Sequence, residues 1–287
     1  MRTLLTGASG QLGAYLLREL RSAKSLTSWS GASAGELFGA RLLPVDLADP
    51  DAVAAAFRAA QPDIVLHAGA MARLADCHRD PARAWRVNAR GTAVLAELAS
   101  AGKARLVMVS TDLVFDGERG WYREEDRPMP LSEYGRTKAA AEDAVLAAGG
   151  VVVRVSLLFG PSLNGRPSFF TEQLEALRAG RPITLFADEW RTPLSLATAA
   201  HALVELAHSD FTGLLHLGGP ERLSRLEMGR KLVETLNADP AVIHEARRDE
   251  VPSPEPRPRD TSLCSARWRA LFPSLLPWPS FAEALRA

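Results

Sequence analysis

Apolar residues in the first half of the chain keep two alternating rhythms. Short, mostly continuous runs at residues 3–6, 25–29, 41–45, 63–68 and 105–110 predict strands, the second of them the weakest. Between them, residues 11–21, 51–60 and 81–100 read as helices, and Leu12, Leu16, Leu17 and Leu20 mark one face of the first. Asp49-Pro50 and Asp80-Pro81 each set a capping acid before an N1-type proline, which starts the next two. Strands alternating with helices of this length predict parallel βαβ units and a sheet covered on both faces. The fold class that follows is α/β, a Rossmann-type doubly wound parallel sheet.

The pattern continues through a helix at 131–148 and a strand at 151–156, then changes after Gly160-Pro161. A helix at 168–179, a short strand at 183–186, a helix at 196–209, a strand at 214–217 and a helix at 224–237 follow. We expect a dinucleotide-binding domain over 1–160 and a smaller C-terminal α/β substrate-binding lobe over 161–287, with strands that return to the first domain. Such a lobe would cover the carboxyl ends of the strands, the crevice where ligands bind in open α/β sheets. The stretch Val251-Pro-Ser-Pro-Glu-Pro-Arg-Pro-Arg259 has four prolines in nine residues and predicts a surface loop. Arg257 and Arg259 make that loop a candidate wall for an anionic ligand.

Composition narrows the partners. Lysine plus arginine balances aspartate plus glutamate at 34 each, with no basic stripe, which argues against nucleic acid. Anionic ligands would be held by individually placed arginines. Cys77 and Cys264 are too few and too far apart for a disulfide framework, and the six histidines show no zinc or triad spacing, so no metal is expected. No apolar run approaches the roughly 18 residues of a membrane span, and the start lacks a signal-peptide core. A soluble cytoplasmic protein is the expectation.

Candidate chemistry begins at Gly7-Ala-Ser-Gly10-Gln-Leu-Gly13, between a strand and a helix. Glycine permits the tight turn and lets backbone approach a pyrophosphate, and the helix start behind it supplies oriented N–H groups. Gly7, Ser9, Gly10, Gln11 and Leu12 are therefore cofactor candidates. At the end of the second strand, where an acid would grip a ribose 2′-hydroxyl, the chain reads Leu26-Thr-Ser28-Trp29-Ser30-Gly31 with no acid. That favours NADPH, with NADH as the other candidate. Ser28 or Ser30 is placed to bond a 2′-phosphate; no arginine sits at the obvious position, and Arg2 or Arg41 would have to reach it. Asp46 and Leu47 follow the third strand, where an acid can accept from an adenine amino group or simply cap a turn. Ala68, Gly69 and Ala70 end the fourth with small residues, and Asn88 interrupts a helix where asparagine is a poor former. Its amide would order water or neighbouring main chain, or else face solvent. Thr111 closes the fifth strand. Tyr134 and Lys138 share one face of a helix, so a phenol can protonate a carbonyl oxygen beside an ammonium.

With these residues in hand, the chain resembles the extended short-chain dehydrogenase/reductases, and within them the dTDP-4-dehydrorhamnose reductase family. The resemblance rests on the glycine turn, on Ser110-Thr-Asp-Leu-Val-Phe-Asp-Gly117 and on Tyr134-Gly-Arg-Thr-Lys138, and it extends over nearly the whole chain. It implies that Thr111, Tyr134 and Lys138 are catalytic and reduce the 4-keto group of a nucleotide-linked 6-deoxy sugar. Tyr134 would protonate the alkoxide and Thr111 orient the carbonyl. Lys138 would hold the nicotinamide ribose and lower the tyrosine's pKa. Met71, Arg73, Asp112, Val114, Phe115, Arg191 and Arg257 would meet the substrate, and a homodimer would be in keeping with relatives. Met71 and Arg73 depart from the residues many members carry after the fourth strand. Glu118-Arg-Gly-Trp-Tyr-Arg-Glu-Glu125 also resembles the methionine adenosyltransferase β subunit, a cofactor-binding partner protein. An epimerase or a reductase of another nucleotide sugar is the third reading. A dehydratase would show an acidic pair after the threonine, whereas Asp112 is followed by Leu113.

Overall fold

The computed structural model describes residues 1–286. Its strands are β1 (Thr3–Thr6), β2 (Leu26–Ser30), β3 (Gly35–Leu37), β4 (Ala40–Pro44), β5 (Ile64–His67), β6 (Arg105–Thr111) and β7 (Val151–Val155) in the first part. Then follow β8 (Leu158–Phe159), β9 (Ile183–Phe186), β10 (Trp190–Arg191), β11 (Leu194–Ser195), β12 (Gly213–Leu217), β13 (Leu223–Ser224) and β14 (Ile243–Ala246). An eight-stranded sheet runs in the order β12-β7-β6-β5-β1-β2-β4-β3. All its pairings are parallel except that of β3, a short antiparallel edge strand the sequence pattern did not suggest.

Successive strand residues serve opposite faces, and both faces are buried, which is why these strands read as near-continuous apolar runs. Leu5, Leu66 and Val153 pack with Leu16 and Leu17 of α1 (Gln11–Glu19) and Leu203 of α8 (Leu196–Ala207). Their neighbours Leu4, Val65 and Val152 point the other way, toward α2 (Pro50–Ala60), α5 (Gly91–Ala101) and α6 (Glu133–Ala147). Although they follow residue 160, β12 and α8 thus belong to the sheet and its covering layer. The remainder of the later chain gathers around Phe159, Phe170, Met228, Leu232 and Phe281. That cluster draws on α7 (Phe169–Arg178), α9 (Arg225–Leu236) and α11 (Phe281–Arg286). Ser168 and Ser224 start α7 and α9 as N-caps with reciprocal capping boxes, one residue outside the helices proper.

The expected helix over 81–100 is not one helix. It divides into α4 (Pro81–Ala84), a π-helical turn over Trp85–Arg90, and α5. The wide turn lets two contacts coexist: Asn88 faces inward, and the backbone at Gly91 presses on the chain after β4. A Cβ at Gly91 would lie 2.2 Å from the Leu47 carbonyl oxygen. A further helix, α3 (Leu74–Arg79), lies between β5 and α4, and a short α10 (Ala266–Leu271) precedes the C-terminus.

Candidate active site

Two backbone contacts bring the catalytic candidates together. Strand β6 ends at Thr111, whose hydroxyl accepts the Leu113 N–H at 3.1 Å and tightens the chain into a 3₁₀ turn. Helix α6 begins with Ser132, whose hydroxyl accepts the Gly135 N–H at 3.1 Å. A Cβ at Gly135 would sit 2.2 Å from the Leu113 carbonyl oxygen, so only glycine lets the helix start lie against that turn. Tyr134 is thereby held, partly buried, beside Thr111 and Asp112. Burial pushes its phenol well above the usual range, Cys77 and the Asp112 carboxylate add to the rise, and the Thr111 hydroxyl opposes it.

One turn on, Lys138 is 2% exposed and its ammonium donates to the Val109 carbonyl at 2.8 Å. Burial brings its pKa down to about 8, against the opposing pull of Glu142. In this structure the ammonium is turned to the β6 backbone, and burial governs the phenol. Below it, Glu142 accepts bonds of 2.7–3.1 Å from the Arg154 guanidinium, in a pair that is almost completely buried. His67, also enclosed, lies between the hydroxyls of Thr6 (2.6 Å) and Thr92 (2.9 Å), and burial lowers its pKa to about 3.

The glycine turn fits a dinucleotide. Gly7 has φ +71, and a Cβ there would lie 2.6 Å from the Ala68 backbone; one at Gly13 would lie 2.1 Å from the Gly7 carbonyl oxygen. The turn, the end of β5 at Ala68-Gly69-Ala70 and the start of α1 therefore form one bare floor. Gly10 caps α1 without a side-chain bond, leaving its first N–H groups for an anion. Gln11 reaches across to Ser162 and the Arg166 carbonyl, and Ser9 receives Asn164 on its own carbonyl. Leu12 is partly buried beside the core. Asp46 bonds the Ala48 N–H and pairs with Arg83 at 3.1 Å, with Leu47 buried beside it.

Several expected contacts take other roles. Ser28 pairs in register with Leu5 and Leu42, and its enclosed hydroxyl has no partner, so it is a sheet-interior residue and not a phosphate ligand. Arg2 is held by Asp63 and Gln61 at the opposite ends of the strands, and Arg41 stands across the β3–β4 ladder from Glu36. Asn88 has no exposed surface. Its oxygen accepts the Met71 N–H at 2.7 Å, and its amide donates to the Met71 carbonyl and to Thr137, so it acts on the cleft through main chain and α6. Val114 is fully buried in a small cluster with Phe115 and Tyr122 and belongs to the core. Arg73 is exposed at the start of α3, and Met71 is partly buried.

Next along the chain from Thr111, and just before Tyr134, opens a cavity of about 330 Å³, walled by Asp112 and the turn after β6, by Leu131 and Ser132, and by the proline-rich loop. Asp112 and Phe115 are among the residues that line it. Arg191 lines it too, but is committed: it pairs with Glu189 at 3.2 Å and Asp112 at 3.5 Å and donates to the Trp190 carbonyl. Asp112 also accepts from Thr261 at 2.8 Å and Ser156 at 3.3 Å, yet burial still raises its pKa. Arg257 lies over the Phe186 ring at 4.9 Å, its buried Nε without a partner. Sequence reasoning missed Arg225, whose Nε pairs with Glu189 at 3.0 Å at the cavity wall, and Glu255, which receives the Glu133 N–H at 2.7 Å. The helix expected over 224–237 gave the place of α9, but no local pattern says that its first residue faces a cavity.

The family model of the RmlD substrate binding domain matches residues 1–287. The dTDP-4-dehydrorhamnose reductase of Mycobacterium tuberculosis (strain ATCC 25618 / H37Rv) is 32% identical over 303 residues, covering 100% of this chain and 93% of its own. Methionine adenosyltransferase 2 subunit beta of Bos taurus is 30% identical over 282 residues, covering 94% of this chain and 82% of its own. Among solved structures, the dTDP-4-dehydrorhamnose reductase of Bacillus anthracis in complex with NADP superposes with a TM-score of 0.87. It is 24% identical and covers 99% of this chain and 97% of its own, a likeness of fold. A match over the full length, joined to the threonine, tyrosine and lysine gathered at one cleft, places the chain in the dTDP-4-dehydrorhamnose reductase family of NAD(P)-dependent oxidoreductases.

Proposed function

We propose that the protein is an NADPH-dependent reductase of the 4-keto group of a nucleotide-activated 6-deoxy sugar, of the dTDP-4-dehydrorhamnose type. The observation that carries this reading is the arrangement of Thr111 and Tyr134 beside a cavity that presents Arg225 and Arg257. A proton donor for a carbonyl and cations for a diphosphate thus share one cleft. NADPH, when bound along the glycine floor, supplies the hydride that reaches C4. Tyr134 keeps its proton across the neutral range and gives it to the carbonyl oxygen, so that hydride and proton together make the hydroxyl. Thr111 orients that oxygen through its hydroxyl. Lys138 presents a buried cation one turn away, where it holds ribose hydroxyls and offers the phenolate a counter-charge. Arg225 and Arg257 hold the substrate phosphates.

The reductase named among the relatives supports the reaction class, and the NADP in the structural neighbour supports the cofactor. The test is loss of NADPH absorbance with dTDP-4-dehydro-L-rhamnose, with NADH in parallel. Turnover that Tyr134→Phe abolishes is expected, and turnover that survives the substitution within a few-fold overturns the mechanism.

A second reading, a regulatory subunit that binds the cofactor without turnover, is favoured by the bovine relative and by Trp121. This residue is 49% exposed in the segment that resembles that subunit. It predicts tight NADPH binding with no reduction of any 4-keto sugar nucleotide.

A further inference from the structure

Resting on the NADPH reading, one charge has no partner among the expected residues: the 2′-phosphate at the end of β2. Ser30 closes that strand, and its hydroxyl bonds the Ser33 and Leu43 carbonyls. The residues that follow, Gly31-Ala32-Ser33-Ala34, are small and exposed, which leaves room for a bulky group. Of the two cations first expected to reach the 2′-phosphate, Arg2 is engaged by Asp63 at the opposite ends of the strands, and Arg41 stands across the β3–β4 ladder from Glu36.

Another arginine arrives from a separation of 133 residues. The segment 160–166 is fastened across the glycine turn by three side chains. Tyr15 donates to the Pro161 carbonyl at 2.8 Å, Asn164 to the Ser9 carbonyl at 2.9 Å, and Gln11 to the Arg166 carbonyl at 2.6 Å. Asn164 also accepts the Arg166 N–H at 3.1 Å, so the backbone at 166 is held from both sides. The Arg166 guanidinium then lies 3.4 Å from the Ser33 hydroxyl, on the loop that follows β2. Exposed and bonded to a hydroxyl rather than a carboxylate, it keeps its remaining donors for a ligand. A guanidinium and a hydroxyl converging beside a bare glycine-alanine turn suit a phosphate monoester, which accepts the paired N–H groups of arginine.

We propose that Arg166, with Ser33, forms the 2′-phosphate site and selects NADPH over NADH. The cofactor-specifying cation thus comes from the chain beyond the change in rhythm at 160, and not from the second strand.

The experiment measures calorimetric binding of 2′,5′-ADP and of 5′-ADP to the full-length protein, which needs no turnover. The wild type is expected to prefer 2′,5′-ADP. Arg166→Ala should weaken 2′,5′-ADP about tenfold or more, in line with the loss of charge-assisted bonds, and leave 5′-ADP within about twofold. Arg166→Lys should restore part of the difference. Equal weakening of both ligands would overturn the proposal, because the arginine would then only order the loop. An unchanged preference in Arg166→Ala would overturn it as well. A wild type that binds 5′-ADP as well as 2′,5′-ADP would instead bring down the NADPH reading itself.

Discussion

The two walls of the cleft are built by different means. On one side, Thr111, Tyr134 and Lys138 sit on a central strand and the helix packed over it, tied by backbone contacts and by the buried Glu142–Arg154 pair. Facing them, residues 251–259 form an irregular proline-rich loop that reaches the first wall through Glu255 and the Glu133 N–H. Proton transfer needs atoms fixed to a fraction of an ångström, whereas gripping a flexible diphosphate needs charge and reach. In the proposed function, the wall assigned the chemistry is built on a strand and a helix, and the wall assigned recognition is a strap.

The comparison breaks first, and hardest, at Tyr134. Tyr134→Phe should lower kcat by about 10²–10⁴ with little change in KM, since the lost hydroxyl acts mainly in the transition state. Steady-state kinetics with NADPH would show it, and a matching rise in KM would move Tyr134 to the recognising wall. Next comes the support beneath. Glu142→Ala leaves the Arg154 charge buried and unpaired and should cost about 3–5 kcal/mol of stability in denaturant unfolding. A loss below about 1 kcal/mol would mean that α6 does not depend on the pair.

A third effect follows from His67 and His216, each lowered by burial to about 3. Between the unfolded value near 6.5 and that folded value, the unfolded chain binds more protons, so stability falls as pH drops. From pH 6.5 to 5 the loss should be about 2 kcal/mol per histidine, and His67→Gln should remove one share, as unfolding curves against pH would record. The smallest effect belongs to the strap. Arg257→Ala should raise the substrate KM about tenfold and leave kcat within about threefold; a kcat defect without a KM change would refute its place on the recognising wall.

The strand-and-helix wall was also the legible one. Its strand and helix announce themselves by their patterns, and its chemistry by Tyr134 and Lys138 four residues apart. Arg225, Glu255 and Arg166 were invisible for a common reason: each acts on residues far away in sequence, from a helix start or a loop that carries no period. Arg191 was found, but its motif could not show its pairing with Glu189 and Asp112. Ser28 failed for a related reason: a hydroxyl in a strand reads alike whether it ends the strand or lies two residues inside.

The π-helical turn over Trp85–Arg90 amounts to one residue more than a regular helix would use. Each helical residue turns the chain by about 100°, so a shortening by one would rotate everything beyond the cut by that angle relative to everything before it. Asn88 could then still meet Met71, or Gly91 could still rest on Leu47, but the two would no longer do so at once. Length in this segment is therefore less tolerant than composition: exchanges at the exposed Trp85 should pass easily, while a single deletion would unseat α5 from the sheet face it covers.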